Sequence, residues 1–122
     1  MDVFLETYLS NGWLSSNPTH PSIVVERFFR EVENGDSTKI LQFLPHILVS
    51  QVGARKLETI FALNTDEVRK RGGIREVEVL NEWGDTDVAA VEVNMTYGNG
   101  SKDYEVVLLC KENNEWKIDM SR

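Results

Sequence analysis

Few residues of this chain combine the chemical type and the spacing that a reactive site requires. The two histidines, His20 and His46, lie far apart with no fixed acid beside them, which is a poor metal signature. Cys110 is the only cysteine, so no intrachain disulfide can form, and no basic neighbour that would activate its thiol is predicted. We therefore expect no metal, no cofactor and no catalytic residue, and we expect Cys110 to be a small buried apolar side chain.

Two tyrosines are the remaining candidates for polar chemistry. Tyr97 and Tyr104 flank a predicted hairpin and could donate hydrogen bonds to the carbonyl group of a ligand. Proton transfer would also need a carboxylate or an imidazole that faces an apolar pocket. An enzyme would therefore require the tyrosines to converge with His46, or with a helical acid such as Glu58 or Asp66, in one interior site.

Helices are predicted in the first half of the chain. Pro21 suits the first position of a helix, where its missing N–H would have no partner, and Gly35 suits the position after the last turn. Residues 46–53 are ambiguous between a short strand and a buried connection. The predicted helical segments are residues 21–34, 36–44 and 54–71. Residues 64–67 resemble a helix cap inside the last segment and predict either a kink or two consecutive helices.

From Ile74 onward the period of the apolar residues changes from 3.6 to 2, which indicates strands. The predicted strands are residues 74–80, 87–97, 103–112 and 115–120. Their connections are too short for parallel crossovers, so consecutive strands must be antiparallel neighbours. The sequence thus predicts an α+β fold in which three N-terminal helices pack on a four-stranded antiparallel meander.

Alternation along the strands predicts which side chains face the helices. The acids Glu92, Asp103 and Glu105 fall on the opposite face, which argues against catalysis inside the fold. That opposite face also carries apolar residues among its charges (Ala90, Val107 and Leu109) and would suit a partner subunit. The predicted helix-facing residues, none of them an acid or a histidine, are Val91, Val93, Met95, Tyr97, Tyr104, Val106, Leu108, Cys110, Trp116, Ile118 and Met120.

Length and charge limit the classes of function. The 122 residues fit one domain, predicted at 21–122, preceded by an N-terminal extension at 1–20. Lys and Arg number 13 against 20 Asp and Glu, a net charge of −7, which argues against nucleic acid or anionic lipid and suits a basic protein partner. No apolar run reaches the length of a transmembrane helix, and the acidic start does not look like a signal peptide. The compartment stays open: cytoplasmic as given, periplasmic or lipid-anchored if a signal was trimmed.

The order of elements resembles the nuclear transport factor 2-like superfamily, a cone-shaped, cystatin-like α+β fold. Within this superfamily, the sequence is most similar to small bacterial domains of unknown function that often occur in lipoproteins. The resemblance implies a sheet that curves around the helices, a cavity in the cone and dimerisation through the sheet. The superfamily also includes isomerases, dehydratases, polyketide cyclases and epoxide hydrolases. The residues that carry the resemblance are 21–36, 72–80, Gly84, Asp85, 91–97 and 116–119.

These observations favour a non-enzymatic binding or assembly domain, a homodimer through the sheet face, that binds a small apolar ligand or a protein partner. The alternatives are a small-molecule enzyme of the isomerase or dehydratase type that uses the cone, and an acidic, immunity-like protein that binds a basic partner. The residues that we expect to line a ligand cavity are Phe29, Phe61, Met95, Tyr97, Tyr104 and Trp116.

Overall fold

The structure is a computed structural model that describes residues 20–120. It confirms the α+β class: helices come first and a four-stranded antiparallel sheet follows. The extension predicted at residues 1–20 lies, except for His20, outside the described residues. The elements in chain order are α1 (Pro21–Asn34), α2 (Ser37–Leu41), α3 (His46–Val52), α4 (Ala54–Lys70), β1 (Ile74–Gly84), β2 (Val88–Tyr97), β3 (Lys102–Glu112) and β4 (Glu115–Ile118).

Local sequence signals set both ends of α1 and the start of α2 as predicted, whereas α2 ends at Leu41, three residues before its predicted end. Pro21 is the first residue of α1, and Gly35 ends the helix with a φ of 79°, where its N–H bonds to the carbonyl of Glu31. This left-handed conformation costs glycine little, because glycine has no Cβ. The carboxylate of Asp36 then caps α2 by accepting a hydrogen bond from the backbone N–H of Lys39 at 3.2 Å.

The ambiguous segment 46–53 forms a fourth helix, α3, rather than a strand or a connection. Its first N–H group, that of His46, donates to both carboxylate oxygens of Glu112 at 2.8 and 3.0 Å. Glu112 lies at the end of β3 and thus caps a helix from which it is 66 positions away. A cap that comes from such a distance leaves no local signal in the sequence, since helix starts are normally recognised from the neighbouring residues.

Neither the kink nor the break that we predicted at residues 64–67 is present, since α4 runs unbroken from Ala54 to Lys70. Thr65, whose hydroxyl suggested a new helix start, is buried, and its hydroxyl donates to the backbone carbonyl of Val32 in α1 at 2.6 Å. The polar group that we assigned to a helix cap instead joins two packed helices.

The sheet has the strand order β1-β2-β3-β4, and every neighbouring pair is antiparallel. It is curved and does not close into a barrel. Two register shifts interrupt the pairing of β1 with β2, between Ile74 and Glu76 and between Val79 and Asn81. Such bulges bend a strand. β1 also extends to Gly84, four residues beyond its predicted end, while β4 stops at Ile118.

The register of β2 with β3 overturns the predicted orientation of β3. Val91 pairs with Val107 and Ala89 pairs with Leu109, so odd-numbered residues of β2 lie opposite odd-numbered residues of β3. Directly opposed residues of antiparallel strands share a face, so the odd residues of β3 lie on the helix-facing side, called here the inner face. Leu109 is accordingly buried, whereas Tyr104 is 57% exposed on the opposite, outer face.

The predicted inward orientation of Tyr104, Val106, Leu108 and Cys110 is therefore wrong, and so is the outward orientation of Asp103, Glu105, Val107 and Leu109. The error has a physical reason, because β3 is apolar on both faces and its alternation does not identify the buried one. The turn identifies the buried face. The N–H of Tyr97 donates to the carbonyl of Ser101 at 2.9 Å, and this bond sets which residues of β3 lie opposite the inward residues of β2. Tyr97 faces inward as predicted, whereas Met120 lies beyond the end of β4 and is exposed.

The hydrophobic core lies between the helices and the inner face of the sheet. α1 and α4 supply most of its helical side, and β2 contributes every second residue from Ala89 to Tyr97. Trp116 and Ile118 of β4 complete it, in agreement with the predicted inner face of that strand. Among residues 20–120, no helix combines the length and the apolar character needed to cross a membrane.

Candidate functional site

A cavity of about 390 Å³ lies between α1, α4 and the inner face of the sheet, and we call it the inner cavity. This volume falls within the range of small-molecule pockets. Four of the six predicted cavity residues line it: Phe29, Phe61, Met95 and Tyr97. Its other apolar lining residues include Phe28, Val32, Val68, Ile74, Val107 and Ile118.

Aromatic side chains of the helices line one wall of the inner cavity. The ring of Phe28 packs edge-on against Phe29, with 5.4 Å between centroids, and against Phe61, with 5.9 Å. Edge-to-face contacts of this kind fix the orientation of the rings. The apolar wall is therefore ordered by contacts within and between α1 and α4.

The polar end of the inner cavity consists of Arg71, Asp103 and Tyr97. The guanidinium group of Arg71 donates to both carboxylate oxygens of Asp103, at 2.8 and 3.2 Å. The hydroxyl of Tyr97 donates to the same carboxylate at 3.2 Å, and the guanidinium carbon of Arg71 stands 3.8 Å from the centre of the Tyr97 ring. We call these three residues the Arg–Asp–Tyr cluster.

The pKa values within this cluster move away from neutral pH. Hydrogen bonding from Arg71 lowers the pKa of Asp103 below its ordinary value of 3.8, although desolvation partly opposes the shift. Burial, together with the negative charge and hydrogen bond of Asp103, raises the pKa of Tyr97 to about 12. At neutral pH the carboxyl group is therefore ionised and the phenol is protonated, so Asp103 accepts hydrogen bonds and Tyr97 donates one.

Two turns position the Arg–Asp–Tyr cluster, one after α4 and one between β2 and β3. The N–H of Gly98 donates to the carbonyl of Gly73, and the N–H of Asn99 donates to the carbonyl of Arg71, both at 2.8 Å. Gly72 lies so close to Gly98 that a Cβ atom on Gly72 would be 3.0 Å from the Cα of Gly98. The glycines thus let the two turns touch through their backbones.

The inner cavity opens past the edge of β3. The consecutive residues 105–108 line it there, whereas the face of a strand would contribute only alternate ones. β4 ends at Ile118. One more residue bonds to β3, because the N–H of Asp119 donates to the carbonyl of Leu108 at 2.8 Å, and this is the last such bond among residues 20–120. Glu105 and Asp119 stand at this opening, which is therefore acidic.

Two predicted cavity residues lie elsewhere. Tyr104 projects from the outer face, where its hydroxyl donates to Glu92 at 2.5 Å. Trp116 lines a second depression of about 830 Å³, a groove between the helices and the end of the β3–β4 hairpin. His46 and Glu58 line that same groove and do not reach the inner cavity.

The residues proposed for an enzyme therefore do not converge. Tyr97 is in the inner cavity, Tyr104 is on the outer face, and His46 and Glu58 are in the groove. Asp66 lines a third, separate cleft between α2 and α4.

The sequence analysis missed Arg71 and Asp103. We assigned Asp103 to the wrong face. Arg71 follows Arg69 and Lys70 at the end of α4, where basic residues commonly interact with the helix dipole, so its type and position there do not indicate a site. The signal that identifies Asp103 is its distance from the turn: Tyr97 and Ser101 close the hairpin, so Met95 and Asp103 are opposed. An inward Met95 therefore requires an inward Asp103.

Metal and thiol chemistry find little support in the described part of the chain. No group of three or more His, Cys, Asp or Glu side chains within residues 20–120 is arranged to hold a metal ion. Cys110 is half-buried, and burial raises the pKa of its thiol, so it is protonated at neutral pH.

Helices packed on a curved, open antiparallel sheet, with a cavity between them, form a nuclear transport factor 2-like fold. A protein from Campylobacter jejuni, provisionally described as an NTF2-like transpeptidase, has this fold with a TM-score of 0.71, at 16% identity over 80% of this chain and 95% of its own. A de novo designed protein with a curved β-sheet is similar with a TM-score of 0.50, at 20% identity over 81% and 84% of the two chains. At these identities the likeness shows the fold alone.

The family is shown by sequence. Residues 15–119 match the model of DUF4878, described as a domain of unknown function, and the chain belongs to that family. No curated protein matches it.

Proposed function

We propose that this protein is a non-enzymatic binding domain whose inner cavity receives a small, mostly apolar group. The observation that carries the proposal is the contrast within the cavity. Its helical wall is mostly aromatic and aliphatic, with Asn64 and Glu67 as its polar residues, while the Arg–Asp–Tyr cluster at its polar end is already paired internally. Such a site gains affinity by removing apolar surface from water.

An isomerase or dehydratase is the competing interpretation. We expected no acid beside the Tyr97 hydroxyl, and this ground for excluding catalysis is wrong, because Asp103 lies there at 3.2 Å. The case against catalysis now depends on the ion pair between Arg71 and Asp103. Arg71 occupies both oxygens of Asp103, and the pKa values of Asp103 and Tyr97 are displaced away from neutral pH in opposite directions. A general base or acid works best when its pKa lies near the working pH, so this pair is poorly suited to proton transfer.

Indole, a neutral aromatic probe, tests the binding proposal. Titration into the ¹⁵N-labelled protein should shift the amide resonances of residues around Phe61, Met95 and Val107. Val107→Phe, which adds a ring at the cavity wall, should weaken indole binding by at least about tenfold, equivalent to about 1.4 kcal/mol.

Val88→Phe is the matched control, because it makes the same change at an exposed position of the outer face. Equal affinity of indole for both variants, or resonance shifts confined to other surfaces, would exclude the inner cavity as the binding site. A change in the chemical structure of a bound isomerisable ligand, lost in Asp103→Asn, would favour the enzyme instead.

Homodimer formation through the outer face is a second candidate function that a separate observation supports. Trp83 of β1, Val88 of β2 and Val106 of β3 are exposed apolar side chains of that face. Ala90 lies between Trp83 and Leu108 in the register, so the apolar positions are contiguous across three strands. A contiguous apolar patch rimmed by polar residues is typical of a protein interface.

A further inference from the structure

The open edge of β3 is a surface that neither the inner cavity nor the outer face explains. Within β3, alternate residues direct their N–H and C=O groups to opposite edges. Lys111 donates to Asp87 on the β2 side, at 2.9 Å, while the carbonyl of Leu108 accepts from Asp119 on the β4 side. Tyr104 and Val106 have the parity of Leu108, so their backbone groups point to the edge that β4 leaves uncovered.

No described residue from 20 to 120 hydrogen-bonds to those groups of Tyr104 and Val106. An exposed strand edge of this kind can accept one further strand, which binds through its main chain. Among residues 20–120, the stretch with no partner strand on this side runs from Lys102 to Val107, because the described bonds to β4 and to Asp119 end at Leu108.

The charges beside this edge indicate what kind of strand fits. On the inner side, Glu105 projects from the edge itself, beside Asp103, whose carboxylate Arg71 and Tyr97 already bind. On the outer side, the exposed side chains of Tyr104 and Val106 offer apolar surface. An added strand would therefore place basic residues on the inner side and apolar residues on the outer side, in strict alternation.

We propose that the edge of β3 at Lys102–Val107 binds an extended segment of a basic partner protein, in which basic and apolar residues alternate, by β-strand addition. A second copy of this chain fits less well, because pairing two β3 edges would bring the acids Asp103 and Glu105 of both copies together. The net charge of −7 adds long-range attraction for a basic segment. The proposal does not depend on ligand binding in the inner cavity.

The probe is a seven-residue peptide with blocked ends in which valine and lysine alternate. Binding should protect the amide hydrogens of Tyr104 and Val106 from exchange and should weaken with added salt. The same peptide with glutamate in place of lysine, and a version N-methylated at the residues that would bond β3, should each bind at least about tenfold more weakly, which is about 1.4 kcal/mol.

Val106→Pro removes one N–H from the open edge, where proline is tolerated in strands, and Val106→Ala is its matched control. We expect the lysine peptide to bind the alanine variant like the native protein and the proline variant at least tenfold more weakly, again about 1.4 kcal/mol. Glu105→Lys does not alter the backbone and should reverse the preference from the lysine peptide to the glutamate peptide. It therefore tests the proposal even if the proline variant does not fold.

Three outcomes would overturn the proposal. They are equal binding of the lysine and glutamate peptides, equal binding to the proline and alanine variants when both fold, and no binding to the native protein at about 1 mM peptide. Pairing of β3 edges between copies, seen as the same amide protection without peptide at high protein concentration, would assign the edge to self-association. Failure of indole to bind would leave all of these results unaffected and would count only against the cavity.

Discussion

At the scale of single residues, Arg71 determines what the inner cavity can do. Its guanidinium group bonds both oxygens of Asp103 and the hydroxyl of Ser101, and it stacks on Tyr97. The side chain of Arg71 is 20% exposed and that of Asp103 is 38% exposed, so water screens the pair only in part. The cluster fixes the polar end of the cavity and has little capacity left for a ligand.

The ion pair should make stability depend on acidity. The depressed pKa of Asp103 means that the unfolded chain takes up its proton more readily, so the pair stabilises the fold above pH 3.8 and this contribution is lost as the pH falls through the lower, folded pKa. Asp103→Asn should lower the free energy of unfolding at pH 7 by about 1 kcal/mol or less, and the difference from the native protein should vanish as the pH falls below 3.8 and through the folded pKa of Asp103.

Urea unfolding at a series of pH values measures this dependence. Glu78→Gln removes one exposed charge from the outer side of β1 and is the control for net charge alone. A loss for Asp103→Asn that persists unchanged at acid pH would show that packing, and not the ion pair, is responsible.

At the scale of elements, the signals that lie within a few residues of each other predicted the structure well. Pro21, Gly35 and Asp36 act at the helix ends where the sequence indicates, and the short connections give the antiparallel order. The predictions that failed involve residues whose hydrogen-bond partners are distant in the sequence. The carboxylate of Glu112 caps the start of α3, and the hydroxyl of Thr65 donates to the carbonyl of Val32. The orientation of β3 failed for a third reason, because both of its faces are apolar.

Removal of the distant cap tests this interpretation of α3. Glu112→Ala should lower the free energy of unfolding by about 1 kcal/mol, the usual cost of losing an N-terminal cap. The amide hydrogens of α3 should exchange faster, whereas those of α4 should keep their rates. Glu115→Ala, a change of the next acid in the same hairpin, is the control, and equal effects of the two variants on α3 would refute the capping role.

At the scale of the whole molecule, two surfaces are available for partners, and they differ in character. The outer face has exposed apolar side chains on β1, β2 and β3, while the opening of the inner cavity is acidic. A stable dimer buries about 800 Å² on each partner. Such an area requires a broad surface like the outer face, whereas a single strand edge suits one extended segment.

Dimer formation through the outer face can be measured by sedimentation. Trp83→Ser combined with Val88→Lys should shift the protein from dimer to monomer and weaken the association by at least about 100-fold, or about 2.7 kcal/mol. Leu63→Ser is the control, because Leu63 is 65% exposed on α4, away from the sheet. A native protein that is monomeric at about 100 μM, well above the Kd of a stable dimer, would contradict the proposal.

The contact between Gly72 and Gly98 limits which substitutions this chain can accept. A Cβ at either position would meet the backbone of the other turn, and a backbone yields far less readily than the end of a side chain. Neither glycine is therefore free to be replaced while the other turn keeps its place. An insertion between β2 and β3 that shifted their register by one residue would turn Asp103 to the outer face, away from Arg71.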